Sequence, residues 1–214
     1  MRSLICVLSL VALLSAGGAM GAPAEPDIVR EWSRVTPPPA PPALTTARIV
    51  PERTALLLVA FDSNVCNSQV RDRCPPAVPK ARRLLDAARS AHLLVLHGHN
   101  VVTTDADIVP ELKPRNDEIV FRTGPDKFHG SELETILRMR GITTVILAGT
   151  AGNGAVLFTL TGGVSRGFEF IVPVDVIPAD AAYHEQFAVF EMADVMFLHA
   201  HTVLTRSDLI EFPN

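Results

Sequence analysis

Residues able to move protons or bind metal ions stand where predicted β-strands end. Asp62 follows the apolar run 54–61, and His97 and His99 close the next apolar run. A carboxyl group buried at the end of an apolar strand can act as a general acid, because burial disfavours its charged form. Two histidines separated by one residue have a spacing that suits metal ligands. The full set at predicted strand ends is Asp62, His97, His99, Arg122, Thr150 and Asp175.

Alternating strands and helices must position these side chains. Short apolar runs, typical of strands buried on both faces, occur at 54–61, 93–96, 118–122, 143–148, 168–174 and 201–205. Longer segments with apolar residues at helical spacing lie between them, at 77–92, 131–140, 155–166 and 181–193. Ser131, followed by Glu134, is the predicted N-cap of the second of these helices.

This alternation predicts a Rossmann-like, three-layer α/β/α fold with a parallel sheet of about six strands. Ligands bind beyond the carboxyl ends of the strands in such sheets, so the residues at the strand ends are the candidate site. Asp175 has a second interpretation, in which it organises the turn after its strand.

The first residues are typical of a secretory signal peptide. Arg2 is followed by the apolar stretch 4–14 and then by small residues, which predicts a signal peptide over 1–24. A Pro-rich linker at 25–50 and a single domain at 51–214 would follow. The protein is therefore expected to be exported, to the periplasm or to the outside of the cell. In an oxidising compartment Cys66 and Cys74 can form a disulfide, although a free Cys66 thiol near Asp62 is the alternative.

Composition narrows the classes of partner. The formal net charge is −4, so the chain has no basic surface for nucleic acid and no general attraction to anionic membranes once the leader is removed. With 48% hydrophobic residues, it has enough apolar material for a globular core. A small molecule is the expected partner.

Three segments resemble the isochorismatase-like hydrolases. Residues 54–62 are similar to the family's first strand with its terminal aspartate, and 128–133 (Phe-His-Gly-Ser-Glu-Leu) is similar to its Phe-x-x-Thr-x-Leu helix start. Residues 142–175 resemble its central strand, tight glycine turn, nucleophile-bearing helix, Arg-Gly stop and following strand. The resemblance implies the same α/β fold, hydrolase activity on a small molecule, no cofactor and a possible homo-oligomer.

The resemblance also assigns site residues. The family uses an aspartate, a lysine and a cysteine, and Asp62 corresponds to the aspartate. The cysteine position is Ala155, which has no nucleophile. Arg122 aligns with the lysine, but Lys127 lies five residues further on and could reach the same pocket, so both are candidates for the cation. Arginine stays charged and is a poor substitute where a proton must move.

A thiol-independent reaction is therefore expected, with Asp62 as general acid, as in the isochorismatases that cleave a vinyl ether. The resemblance places a non-proline cis peptide at Thr150–Ala151 and an oxyanion-binding site formed by the amides of Ala151 and Ala155, with Asn153 nearby. Some family members carry zinc near the position of the His97 and His99 pair, yet no complete ligand set is visible and no metal is expected. A non-catalytic protein that binds a small molecule on the same fold is the alternative function.

Overall fold

A computed structural model describes residues 27–34 and 40–213. The predicted signal peptide lies outside the described residues. The described residues divide into two units, 27–34 and 40–213. In the first, Asp27 caps the short helix α1, Ile28–Glu31, by accepting a 3.0 Å hydrogen bond from the amide of Val29. Among the helices of the described residues, none is long and apolar enough to cross a membrane.

The second unit is built on a parallel sheet of six strands, as the sequence predicts. Its spatial order is β4-β3-β2-β5-β6-β7. Two short strands, β1 (Ala47–Arg48) and β8 (Ile210–Glu211), pair in parallel as a separate ribbon, and β1 lies within the segment predicted to be a linker. The strands of the main sheet are β2 (Thr54–Val59), β3 (Leu94–Asn100), β4 (Ile119–Thr123), β5 (Thr144–Gly149), β6 (Glu169–Pro173) and β7 (Thr202–Thr205).

Helices cover both faces of this sheet, which accounts for the unbroken apolar runs in its strands. Every residue of β2 is buried. Its residues Ala55, Leu57 and Val59 belong to one apolar core, whereas Leu56 and Leu58 belong to the core on the opposite face. The helices of this unit are α2 (Val78–Ser90), α3 (Leu133–Met139), α4 (Leu157–Val164), α5 (Ala182–Asp194) and α6 (Met196–His199).

The strand order creates a switch point beside β2. The chain runs outward from β2 through β3 to β4, then returns to place β5 on the other side of β2. Loops leaving β2 and β5 therefore diverge at their carboxyl ends, which opens the position where open α/β sheets bind ligands. Asp62 and the segment that begins at Thr150 lie on these two loops.

Three predicted boundaries differ from the structure. Strand β3 continues to Asn100, so His97 and His99 lie within it and pair in register with Val120 and Arg122 of β4. Helix α3 has Glu132 rather than Ser131 at its N-cap, although the Ser131 hydroxyl still accepts a 3.2 Å bond from the amide of Leu133. A π-helical turn, Gly152–Val156, precedes α4, because the non-helical backbone of Gly154 interrupts a regular start.

A polar contact buried at one end of the sheet joins α2, β3 and β4. Glu118, just before β4, accepts hydrogen bonds from Arg89 at 2.7 and 2.9 Å and from the Arg115 amide at 2.9 Å. Its Oε2 also lies 2.9 Å from Nε2 of His97. Burial alone would raise the pKa of Glu118, but the bonds from Arg89, Arg115 and His97 outweigh it and lower that pKa to about 2. Burial lowers the pKa of His97 to about 4, so the ring is neutral at neutral pH and donates Nε2–H.

Replacing Glu118 by Gln should destabilise the fold, because the buried Arg89 guanidinium would lose its two charged hydrogen bonds and keep, as a charged partner, only the longer 3.9 Å contact with Asp86. We expect a loss on the order of 3 kcal/mol in the free energy of unfolding, measured by urea titration at neutral pH. Because the folded-state pKa of Glu118 is depressed, the stabilisation should be present above about pH 4.5 and be lost as the pH falls toward about 2. The exposed Glu111→Gln variant is the control and should stay within about 0.5 kcal/mol of wild type.

The predicted disulfide between Cys66 and Cys74 is present, with Cα atoms 5.1 Å apart. Both cysteines are buried in the core on the α2 side of the sheet. The bridge closes a loop that begins four residues after Asp62. It therefore restrains the chain directly beyond the candidate acid.

Reducing this disulfide should destabilise the protein by roughly 2.5 kcal/mol, because the open loop regains conformational entropy in the unfolded state. Unfolding in urea with and without dithiothreitol measures the difference. A double variant, Cys66→Ser with Cys74→Ser, should have the stability of the reduced protein and be unaffected by dithiothreitol. Equal stability of oxidised and reduced wild type would contradict the prediction.

Candidate active site

The carboxyl group of Asp62 is the centre of the candidate site. The residue is fully buried. Its Oδ1 lies 2.5 Å from Nδ1 of His99, and its Oδ2 accepts a 2.9 Å bond from the Thr103 hydroxyl. The backbone of Asp62 bridges to Ile108, so the segment after β3 lies directly over it. The side chain is thus fixed by contacts with β3 and with the segment that follows β3.

The other ring nitrogen of His99, Nε2, is buried and makes no hydrogen bond to the described residues. The ring stacks on that of His97, with centroids 6.3 Å apart and planes inclined by 11°. The two histidines occupy the same face of β3 but contact different carboxylates, Glu118 and Asp62. In the described part of the chain, no three His, Cys, Asp or Glu side chains are grouped to hold a metal ion.

Lys127 is a buried cation within electrostatic reach of this carboxylate. Its Nζ donates to the backbone carbonyls of Gly124 at 2.9 Å, His99 at 3.0 Å and Thr123 at 3.4 Å. Burial lowers the pKa of Lys127 to about 8, against the opposing effect of the negative charges of Asp62 and Asp126. The methylene chain of Lys127 passes β3 at Gly98. A Cβ at position 98 would lie only 3.2 Å from Cδ of Lys127, so glycine leaves room for the lysine side chain.

Arg122, the other candidate cation, is directed elsewhere. It is partly exposed, and its Nε donates to the carbonyl of Thr103 at 2.5 Å while its Nη2 pairs with Asp105. Its contacts are therefore with the segment that covers Asp62 and not with the carboxylate. Thr103 itself donates to Asp62, so Arg122 is connected to the candidate acid only through Thr103.

The turn after β5 forms the other wall. The peptide bond Thr150–Ala151 is cis, as the family resemblance implies. The Thr150 hydroxyl donates to the carbonyl of Pro178 at 3.0 Å and accepts from Nη1 of Arg71 at 2.6 Å. Ala155 is 8% exposed, and Asn153 is half-buried.

Two contacts of this site have no signal in the sequence. Arg71, which donates to the Thr150 hydroxyl, lies in the disulfide-closed loop and also pairs with Asp180 at 2.6 Å. Thr103, which donates to Asp62, follows β3, and no sequence motif surrounds it. The sequence identifies His99 only as a residue at a strand end and a possible metal ligand. Its contact with Asp62 joins residues 37 positions apart in the chain, which local patterns do not reveal.

Asp175 links the turn after β6 to the segment after β7. Its carboxylate accepts from the amide and the hydroxyl of Ser207, both at 2.8 Å, and lies 3.6 Å from the ammonium of Lys80. It also lines a cavity of about 440 Å³ beyond the end of β6. Pro178, whose carbonyl holds the turn at Thr150, lines the same cavity.

Comparison with known proteins identifies the family. The sequence matches the Isochorismatase domain over residues 54–207. Because this match covers well over half of the chain, the protein belongs to the isochorismatase family. It is 27% identical to the uncharacterized isochorismatase family protein YaaI of Bacillus subtilis, over 49% of this chain and 57% of that protein. It is 29% identical to the secreted isochorismatase effector Isc1 of Verticillium dahliae, over 55% of this chain and 70% of that protein.

Solved structures share the fold. A cysteine hydrolase from Pseudomonas syringae pv. phaseolicola superposes with a TM-score of 0.69 at 22% identity, over 78% of this chain and 94% of that one. N-carbamoylsarcosine amidase from Thermoplasma acidophilum superposes with a TM-score of 0.63 at 19% identity, over 73% and 97% of the two chains. At these identities the likeness concerns the arrangement of the chain alone.

The ammonium of Lys127 should lose its proton near pH 8, because burial favours the neutral amine. The ¹³C shift of the lysine ε-carbons measures this titration, and Lys127→Met identifies the signal by removing it. Since the folded-state pKa is lowered, this group alone should make the free energy of unfolding rise between about pH 8 and the ordinary lysine value of 10.5. A Lys127 signal that stays fully charged at about pH 10 would contradict the assignment.

Proposed function

We propose that the protein is an exported hydrolase of a small molecule that works without a thiol nucleophile, with Asp62 as general acid. The observation that carries the proposal is the buried carboxyl of Asp62, held 2.5 Å from His99 beside the switch point of the sheet. A positioned acid contributes about 10²–10⁴ in rate. Membership of the isochorismatase family supports hydrolysis as the reaction class.

The state of the cysteines supports a route that uses no thiol. In the described part of the chain both cysteines, Cys66 and Cys74, are joined in the disulfide. Alanine occupies position 155, at the turn before α4. With neither a thiol nor a hydroxyl there, that side chain cannot form a covalent acyl intermediate.

Acid catalysis suits a substrate whose bond breaks after protonation. For a vinyl ether, Asp62 would give its proton to the terminal alkene carbon and generate an oxocarbenium ion. Water would add to the cation and return one proton, and the resulting hemiketal would separate into a carbonyl compound and an alcohol. An ester or amide hydrolysed through a protonated leaving group is the wider class.

The remaining candidates would bind the substrate or hold the covering segment in place. Lys127 would supply a positive charge beside the acid, and Arg122 would hold the covering segment at Thr103. The amides of Ala151 and Ala155, with Thr150 and Asn153 around them, would bind an oxygen of the substrate. The cavity of about 440 Å³ that Pro178 and Asp175 line has a volume typical of sites for small molecules, and it is connected to the turn at Thr150 through the bond between Thr150 and Pro178.

Two observations support action outside the cytoplasm. The internal disulfide is stable in oxidising compartments. The Verticillium dahliae relative is described as a secreted effector. Together with the leader-like first residues, they support export of this chain.

A non-catalytic binding protein is the second candidate. It is favoured because polar groups of the site already bond to the protein itself. The Lys127 ammonium makes three hydrogen bonds, all to backbone carbonyls. Asp62 and Lys127 are both fully buried, as structural polar groups commonly are when each has its own hydrogen-bond partners. In that case the pocket would bind a ligand without converting it.

A screen of vinyl ethers, esters and amides should yield a substrate whose hydrolysis falls about 10²–10⁴-fold in Asp62→Asn, because the amide cannot donate an acid proton. Hydrolysis should be insensitive to iodoacetamide. The exposed Asp117→Asn variant is the matched control and should keep wild-type rates. Inactivation by iodoacetamide would contradict the mechanism, whereas thermal stabilisation by a compound with no product formed would favour the binding protein.

A further inference from the structure

The unpartnered nitrogen of His99 determines where the ring carries its hydrogen. Nδ1 faces Asp62, and Nε2 is buried without a partner among the described residues. A hydrogen on Nε2 would be a buried donor with no acceptor, which is costly. A hydrogen on Nδ1 is donated to the carboxylate and leaves only a lone pair unpartnered. The neutral ring is therefore favoured in the Nδ1–H form.

This form leaves Asp62 without the proton that a general acid needs. Its two oxygens accept hydrogens from His99 and Thr103, and the charge of Lys127 lies nearby. With both oxygens accepting, the carboxyl group carries no hydrogen of its own in this arrangement. One further proton must therefore enter the pair of Asp62 and His99 before Asp62 can act. The lone pair of Nε2 is an open basic position of this pair.

We propose, resting on the function proposed above, that His99 supplies Asp62 with its catalytic proton. A proton that binds Nε2 converts the ring to an imidazolium, and the hydrogen on Nδ1 then moves across the 2.5 Å contact to Oδ1 of Asp62. The ring is left neutral with its hydrogen on Nε2, and Asp62 is left as the acid. Asp62 protonates the substrate, and the water that completes hydrolysis returns a proton to the same carboxylate. That proton passes back to Nδ1 as Nε2 releases its own proton to solvent, so one proton enters and one leaves through Nε2 in each cycle and the resting form is restored.

The surrounding charges are compatible with this transfer. His97 stacks on the ring but is neutral, because burial lowers its pKa to about 4. Arg122, opposite His99 on β4, is paired with Asp105, and Lys127 contacts the backbone carbonyl of His99 and not its ring. The titratable or charged groups around His99 are thus Asp62, His97, Glu118 beyond His97, Lys127, Arg122 and Asp105.

Nuclear magnetic resonance of the full chain labelled with ¹⁵N tests the transfer without any substrate. At the high end of a titration from about pH 9 to about pH 5, His99 should carry hydrogen on Nδ1, with a far-downfield proton signal. At the low end Nε2 should also be protonated, and Asp62→Asn should abolish the downfield signal. A ring with hydrogen on Nε2 alone throughout, or one whose protonation does not change, would overturn the proposal.

His99→Asn separates positioning from proton transfer once a substrate is known. The asparagine amide can replace Nδ1–H as a donor to Asp62 but has no second nitrogen to accept a proton. Because the pair must take up a proton, the wild-type rate should rise as the pH falls. In His99→Asn we expect kcat to fall about 10²–10⁴-fold and this rise to disappear. His97→Gln, whose amide can replace Nε2–H toward Glu118, should keep the wild-type profile. Wild-type kcat and pH dependence in His99→Asn would overturn the proposal. If wild type hydrolyses no compound, the proposed function fails, and the titration of His99 still decides the proton transfer.

Discussion

Burial of the Asp62 carboxylate is the constraint on which the carboxyl edge of the sheet depends. A carboxylate without exposure is tolerated only where donors and a counter-charge replace water. These come from separate elements: His99 from β3, Thr103 from the segment after β3, and Lys127 from the loop after β4. The acid is thereby held in place by chain segments that meet only in the folded state.

Lys127 satisfies a second need at the same place. Parallel strands end with carbonyl groups that have no further strand partner, and the Lys127 ammonium accommodates those of His99, Thr123 and Gly124. The Lys127 side chain is thus also a link between the ends of β3 and β4. This double role explains how a lysine can be fully buried, although burial lowers its pKa to about 8.

The sequence predicts the framework better than the contacts within it. Unbroken apolar runs such as 54–61 can be interpreted locally, because a strand buried on both faces needs no polar residue, and the order of strands and helices follows. The pairing of Cys66 with Cys74 was also predictable, since export and short spacing both favour it. The direction of Arg122 was not, because its bonds to Thr103 and Asp105 depend on how the segment after β3 returns across β4. For the same reason the partners of Asp62 could not be chosen from residue type alone.

The disulfide-closed loop joins the two walls of the candidate site. The chain leaves Asp62, passes Cys66, and carries Arg71 to the Thr150 hydroxyl and to Asp180 before it reaches Cys74. A flexible loop would place that guanidinium only at a cost in conformational entropy. Because the bridge shortens the path available to the unfolded loop, much of that ordering cost is removed before Arg71 makes its contacts. The covalent link therefore stabilises the relation between the loop after β2 and the turn after β5, the two segments that diverge at the switch point.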